Sequence, residues 1–97
     1  MNKQTLRDLN EEVLLNQLKE LAEKIGIEIQ LKNLTMDEAS SSGGLCLINE
    51  KYILFIHTGA SIREKIQVMT EALRKFDLEN IYVKPAIREL LDIRKVD

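Results

Sequence analysis

The spacing of apolar residues near the start of the chain predicts a helix over residues 5–25. Aliphatic side chains recur at intervals of four, three and four residues, as one face of a helix requires: Leu14, Leu18, Leu21 and Ile25. Asn10 precedes two glutamates and fits an N-cap, and Gly26 fits the C′ position that follows a helix. We therefore expect an amphipathic helix whose apolar stripe faces the core.

A second apolar group falls on a different side of the same predicted helix, at Leu6, Leu9 and Val13. Either the chain breaks near Asn10, or the first turns present a second apolar patch to another surface. In a monomer, the N-terminal segment would fold back over one face of the sheet. In a self-associating protein, these three residues would lie in the interface.

The alternation of apolar and polar residues predicts three strands after this helix. Residues 27–32 alternate strictly and predict a strand with one buried face. Residues 33–44 predict a long loop, of the length that tends to be functional or disordered. Residues 45–48 and 52–57 then flank a three-residue turn at 49–51, which predicts a β-hairpin.

Both faces of this predicted hairpin are apolar. With a turn at 49–51, one face carries Leu45, Leu47, Ile53 and Phe55. The other face carries Cys46, Ile48, Tyr52, Leu54 and Ile56. We expect such a hairpin at the centre of a sheet, covered on both sides by helices or by another subunit.

The second half of the chain predicts two more helices. Ser61 and Glu64 form a capping box, and the helix that follows extends to about residue 76. Its inner face carries Ile62, Ile66, Met69, Leu73 and Phe76. Residues 81–83 predict a short edge strand, and Pro85 opens a last helix over residues 85–94.

The predicted element order is α-β-β-β-α-(β)-α. We expect a single α+β domain over residues 1–97, with a small, mostly antiparallel sheet whose central hairpin is packed by helices. The chain has 97 residues, 44% of them hydrophobic and 31% charged. This length and composition are typical of one small folded domain with an aliphatic core.

Charge and cysteine content narrow the expected partners and cofactors. The formal net charge is −2 and no basic stripe is visible, so we expect no nucleic-acid partner. A single cysteine, Cys46, excludes an intramolecular disulfide and any multi-cysteine metal cluster. Without a signal-like apolar run or a stretch of about 20 apolar residues, we expect a cytoplasmic protein with no membrane partner.

From residue 18 to residue 76 the layout resembles the peptidase domain of the bacterial ImmA/IrrE family. The resemblance rests on the Lys-Ile-Gly-Ile-Glu turn at residues 24–28, on Gly44 opening a hairpin, and on the Leu-Phe-Ile strand at residues 54–56. The helix at 62–76 takes the place of the family's HExxH helix. The resemblance therefore implies a peptidase-like α+β scaffold.

The same resemblance implies that the zinc chemistry is lost. In that family two histidines one turn apart bind zinc and a glutamate activates water. The matching positions here are Thr70 and Arg74 for the histidines and Glu71 for the glutamate. Threonine is a poor zinc ligand and arginine stays protonated, so the resemblance implies a pseudoenzyme without a metal or other cofactor.

Three side chains remain candidates for chemistry. Glu71 would be either a catalytic carboxylate or an exposed acid paired with Arg74 or Lys75. His57 would be either a general base or a strand-end histidine that hydrogen-bonds to its own loop. Cys46 is expected to pack as a small apolar residue, and a Cys46–His57 nucleophilic pair fails because the predicted turn puts them on opposite faces.

The leading hypothesis from the sequence is a non-catalytic, cytoplasmic protein that binds another protein or itself. We expect a homodimer, with Leu6, Leu9 and Val13 as candidate interface residues. One alternative is a divergent hydrolase that uses Glu71 with His57. The other is a small-ligand binding module with residues 33–44 as its lid.

Overall fold

The computed structural model describes residues 10–33 and 43–91. Within these residues the chain forms three helices and a three-stranded sheet, which confirms the predicted α+β class. The elements in chain order are α1 (Glu11–Lys24), β1 (Glu28–Lys32), β2 (Gly43–Ile48), β3 (Lys51–His57), α2 (Ile62–Leu73) and α3 (Pro85–Leu91).

Helix α1 begins later than the apolar pattern predicts. Asn10 has an extended backbone, and its side chain accepts a hydrogen bond from the Glu12 N–H at 2.6 Å. Asn10 is therefore the N-cap, which confirms that prediction and moves the helix start from residue 5 to Glu11. At the other end Gly26 takes a φ of +90°, as the predicted C′ residue requires. Residues 5–9 lie outside the described residues.

The sheet has the strand order β1-β3-β2, so the last strand in sequence lies in the centre. The hairpin strands β2 and β3 pair antiparallel, whereas β1 pairs parallel to β3. With one parallel and one antiparallel pair, the described sheet is mixed and not mostly antiparallel as predicted. Of the hairpin predicted at the centre, only β3 is central among the described strands, and β2 is an edge strand.

The hairpin turn is one residue shorter than predicted. Asn49 and Glu50 form it, with φ of +51° and +67°, and Lys51 already pairs with Ile48 as the first residue of β3. Both central residues of a type I′ turn take positive φ. This correction reverses the faces of β3. The helix side of the sheet carries Leu45, Leu47, Tyr52, Leu54 and Ile56, and the opposite side carries Cys46, Ile48, Ile53 and Phe55.

The core lies between the helices and one face of the sheet. Its most deeply buried large side chains come from both layers: Leu18, Leu54, Ile56, Met69, Leu73 and Ile87. The opposite face, here called the outer face, is not packed by any helix of the described residues. Its expected cover by another subunit stays a prediction. Beside its apolar positions the outer face carries Glu28, Gln30, Lys32, Lys51 and His57.

Helix α2 begins where the capping box predicts. The Ser61 Oγ accepts from the Glu64 N–H at 3.1 Å, and Glu64 accepts from the Ser61 N–H at 2.8 Å, which confirms the capping box. The helix ends at Leu73 rather than near residue 76. Residues 81–83 form no strand; they belong to the connection between α2 and α3, in which Val83 is buried in the core.

Candidate functional site

The positions that match the family's zinc histidines have structural roles here. Thr70 is only 8% exposed, and its hydroxyl donates to the Ile66 carbonyl oxygen at 2.7 Å. Arg74 lies at the exposed end of α2 and donates from Nη2 to the Leu90 carbonyl oxygen at 3.3 Å. The first position therefore packs into the core, and the second links α2 to α3.

Glu71 is exposed on α2 and accepts a hydrogen bond from Gln67 Nε2 at 3.3 Å. Its partner is thus one helical turn towards the N-terminus, and the expected pairing with Arg74 or Lys75 is wrong. Glutamine at this spacing contributes a few tenths of a kcal/mol, about as much as an ion pair would.

His57 ends β3 on the outer face. Its Nδ1 lies 3.3 Å from the Lys32 carbonyl oxygen, which belongs to the neighbouring strand β1 and not to the histidine's own loop as expected. Because α2 packs on the other side of the sheet, the structure does not bring Glu71 and His57 together. The hydrolase alternative needs those two side chains in one cleft.

Cys46 is exposed on β2 instead of packed in the core as expected. With the corrected turn it lies on the same face as His57, so the predicted separation onto opposite faces is wrong. Cys46 pairs with Ile53, and His57 is four residues farther along β3. That offset is about 13 Å. The two side chains are thus kept apart by distance, and no nucleophile–base pair forms between them.

The side chains that could hold a metal are dispersed. Among the described residues no three His, Cys, Asp or Glu side chains come together. A protein zinc site draws on about three such ligands. This part of the chain therefore offers no donor set for the chemistry of the family that it resembles.

A small cavity of about 100 Å³ lies between α1 and the segment that leads into α3. Two contacts border it: Lys84 pairs with Glu20 at 3.6 Å, and Lys24 donates to the Tyr82 carbonyl oxygen at 3.3 Å. Pockets for organic ligands are about 300 Å³ or larger. This cavity is the size of a few water molecules.

The predicted lid, residues 33–44, lies mostly outside the described residues. Residues 34–42 lie outside the described residues, and Gly43 and Gly44 belong to β2 and not to the loop as predicted. The chain enters the segment after Lys32, at the opposite end of β1 from the Gly26 turn. The small cavity lies near that turn, beside Lys24.

Charged side chains organise one part of the outer face. Glu28 accepts from Gln30 Nε2 at 2.6 Å and pairs with Lys51 Nζ at 2.9 Å. The hydrogen bond from Gln30, followed by that from Lys51 and its charge, lowers the pKa of Glu28 below its ordinary value. Nearby, Lys32 Nζ lies 5.1 Å from the centre of the Phe55 ring. These contacts tie β1 to β3.

Strand β2 has no such polar cover. Each of its six residues is exposed or half-buried. Leu47 and Ile48 are 60% and 44% exposed. Of the six large apolar residues that are exposed in the described part of the chain, four lie on the sheet: Leu31, Leu47, Ile48 and Tyr52. From the sequence, both faces of the hairpin were expected to be apolar and to need cover from helices or another subunit, but the pattern did not single out the end of β2.

Only one residue of the candidate N-terminal patch lies in the described part of the chain. Val13 is 42% exposed near the start of α1. Leu6 and Leu9 are outside the described residues. The accessible apolar surface thus includes Val13 and, to a larger extent, the sheet.

Two further findings bear on the class of protein. No helix among the described residues is long and apolar enough to cross a membrane. The resemblance to the ImmA/IrrE peptidase domain stays an expectation from the sequence. Comparisons of the chain with protein-family models, curated proteins and solved structures find no match.

Proposed function

We propose that this protein is a non-catalytic, cytoplasmic interaction module that associates with a second copy of itself. The observation that carries the proposal is the exposed apolar end of strand β2. Leu47 on the helix side and Ile48 on the outer face expose about half of their surface, and no described element lies beyond this edge strand. Scattered exposed apolar residues are ordinary, but adjacent ones on an edge strand without charged residues favour contact with another strand.

The arrangement of polar side chains supports the non-catalytic part of the proposal. Glu71 and His57 lie on opposite sides of the sheet, and Cys46 is about 13 Å from His57 along the strands. General-base and nucleophilic catalysis both need their groups within hydrogen-bond reach. A degenerate peptidase-like scaffold that has become a binding module accounts for these placements.

The test is the subunit count of the untagged protein across a concentration series. We expect sedimentation velocity and native mass spectrometry to show a dimer, with the monomer increasing on dilution. A protein that stays monomeric up to about 100 μM would contradict self-association, because specific contacts of standard size bind more tightly than this.

A pair of variants tests the Leu6, Leu9 and Val13 patch separately. Val13→Glu introduces a charge on that patch, and Asn80→Glu places the same charge at an exposed polar position in the connection between α2 and α3. If the patch forms the contact, only Val13→Glu yields a monomer. If both variants remain dimeric, the contact lies elsewhere on the molecule.

A further inference from the structure

On the side away from β3, no strand of the described residues pairs with β2, and this side is here called the β2 edge. Natural edge strands are protected from pairing by charged side chains, proline or bulges. The other edge strand, β1, has Glu28 and Lys32. Strand β2 reads Gly-Gly-Leu-Cys-Leu-Ile, without a charge or a proline, and pairs with β3 without a bulge.

We propose that the β2 edge pairs antiparallel with the β2 edge of a second copy, around a two-fold axis at Cys46. The two three-stranded sheets then become one continuous sheet of six strands. This inference rests on the proposed self-association and specifies the surface that performs it.

The turn identifies which backbone groups face the open edge. Ile48 and Lys51 close the two-residue turn as a hydrogen-bonded pair. Hydrogen-bonded and non-hydrogen-bonded pairs alternate along an antiparallel ladder. Cys46 therefore directs its N–H and C=O towards β3, whereas Leu45 and Leu47 direct theirs outward. Neither leucine makes an outward backbone hydrogen bond to the described residues.

These outward groups select the register of the pairing. An axis at Cys46 places Leu45 opposite Leu47 of the second copy, and the reverse, so that four backbone hydrogen bonds form. An axis at Leu45 would instead require Gly43 as a partner. Gly43 is already engaged in another interaction.

The side chains of β2 are complementary to themselves in this register. Ile48 of one copy lies opposite Gly44 of the other, so the large exposed side chain covers the residue that has none. On the helix side Leu45 meets Leu47, and no charged residue of β2 faces a like charge. This match of large and small residues favours a second copy over a strand from a different protein.

Cys46 provides a direct test of the axis. The two Cys46 residues would form a non-hydrogen-bonded pair, whose Cα atoms lie about 4.5 Å apart, within the range of a disulfide. Under diamide, two thiols give up two protons and two electrons to the reagent and form one S–S bond. We expect the native protein to form a cross-linked dimer that a reducing agent separates, and the protein unfolded in urea to form much less.

The matched control places the thiol two residues farther along β2, on the same face as Cys46. In the Cys46→Ser background, Ile48→Cys places the two thiols four residues apart across the axis, about 13 Å. That variant should not cross-link. Equal cross-linking of both proteins would overturn the proposed register.

Proline at position 47 tests the backbone contacts. Leu47→Pro removes an outward N–H but no hydrogen bond to β3, and an edge strand tolerates proline at such a position. Leu47→Ala keeps the N–H and serves as the control. We expect Leu47→Pro to raise the dimer dissociation constant about 30-fold or more, because each dimer loses two hydrogen bonds, and Leu47→Ala to raise it less.

The outcomes separate this inference from the proposed function. A wild-type dimer that neither cross-links at Cys46 nor responds to Leu47→Pro would overturn the β2 edge and leave self-association intact. A wild-type protein that is monomeric throughout would overturn both. Far-ultraviolet circular dichroism of each variant verifies that it is folded.

Discussion

Two adjacent glycines at the start of β2 have opposite requirements. Gly43 has a φ of +154°, and a Cβ there would overlap the Phe55 carbonyl oxygen and lie 3.0 Å from the Ile56 Cα. Gly44 has open space where its Cβ would be. The close approach of β2 to β3 thus depends on the absence of a side chain at position 43 only.

Alanine at these two positions should therefore have different effects. We expect Gly43→Ala to lower the free energy of unfolding by about 2–4 kcal/mol, since the Cβ meets backbone atoms and the φ is unfavourable for other residues. Gly44→Ala should change it by about 0.5 kcal/mol or less. Urea unfolding of the two variants measures the difference; equal losses would contradict the geometry of this strand pair.

Single residues were predictable from the sequence where the signal is local. Asn10, Gly26 and the Ser61–Glu64 box were predicted correctly because capping depends on neighbours within one helical turn. The role of Gly43 depends on a carbonyl group 12 residues farther along the chain. For that reason the sequence pattern placed it in a loop.

Among the elements, the hairpin turn shows why a local pattern can mislead. Type I′ turns favour Asn-Gly or Asp-Gly, because both central residues take positive φ. Here Glu50 occupies the second position at +67°. Asn49 suits the first position but Glu50 does not suit the second, so these two residues did not indicate a two-residue turn. The one-residue error reversed the faces of β3 and concealed the exposure of Cys46.

Replacing Glu50 with glycine in this turn should stabilise the protein. Glu50→Gly should raise the free energy of unfolding by about 0.5–1 kcal/mol, because glycine adopts positive φ without the steric cost of a Cβ. Glu50→Ala keeps the Cβ and should give no such gain. Thermal or urea unfolding of both variants tests this, and an equal response to alanine and glycine would show that φ at this position is not limiting.

At the scale of the whole molecule, the element types were predictable but their arrangement was only partly so. The spacing of apolar residues along the chain identified the helices and strands, since each element buries one face. The parallel pairing of β1 with β3 depends on contacts between distant segments. The same holds for the candidate site: Glu71 and His57 are separated by the sheet, and this cannot be seen in residue spacing.

The mixed sheet also has a consequence for the order in which the protein folds. The partners that close the hairpin are three residues apart, whereas the parallel partners Glu28 and Ile53 are 25 residues apart. Because longer loops cost more entropy to close, we expect the hairpin to form in the transition state and β1 to join afterwards.

Stopped-flow measurements on monomer at low concentration can verify this order. Leu45→Ala in the hairpin should mainly slow folding, with a φ-value of about 0.5 or more, and Ile29→Ala in β1 should mainly accelerate unfolding, with a φ-value of about 0.3 or less. The reverse pattern would place the parallel pair in the nucleus. Until β1 pairs with it, strand β3 has an unpaired backbone edge. The rate at which β1 pairs therefore determines how long this edge of β3 stays accessible to other chains.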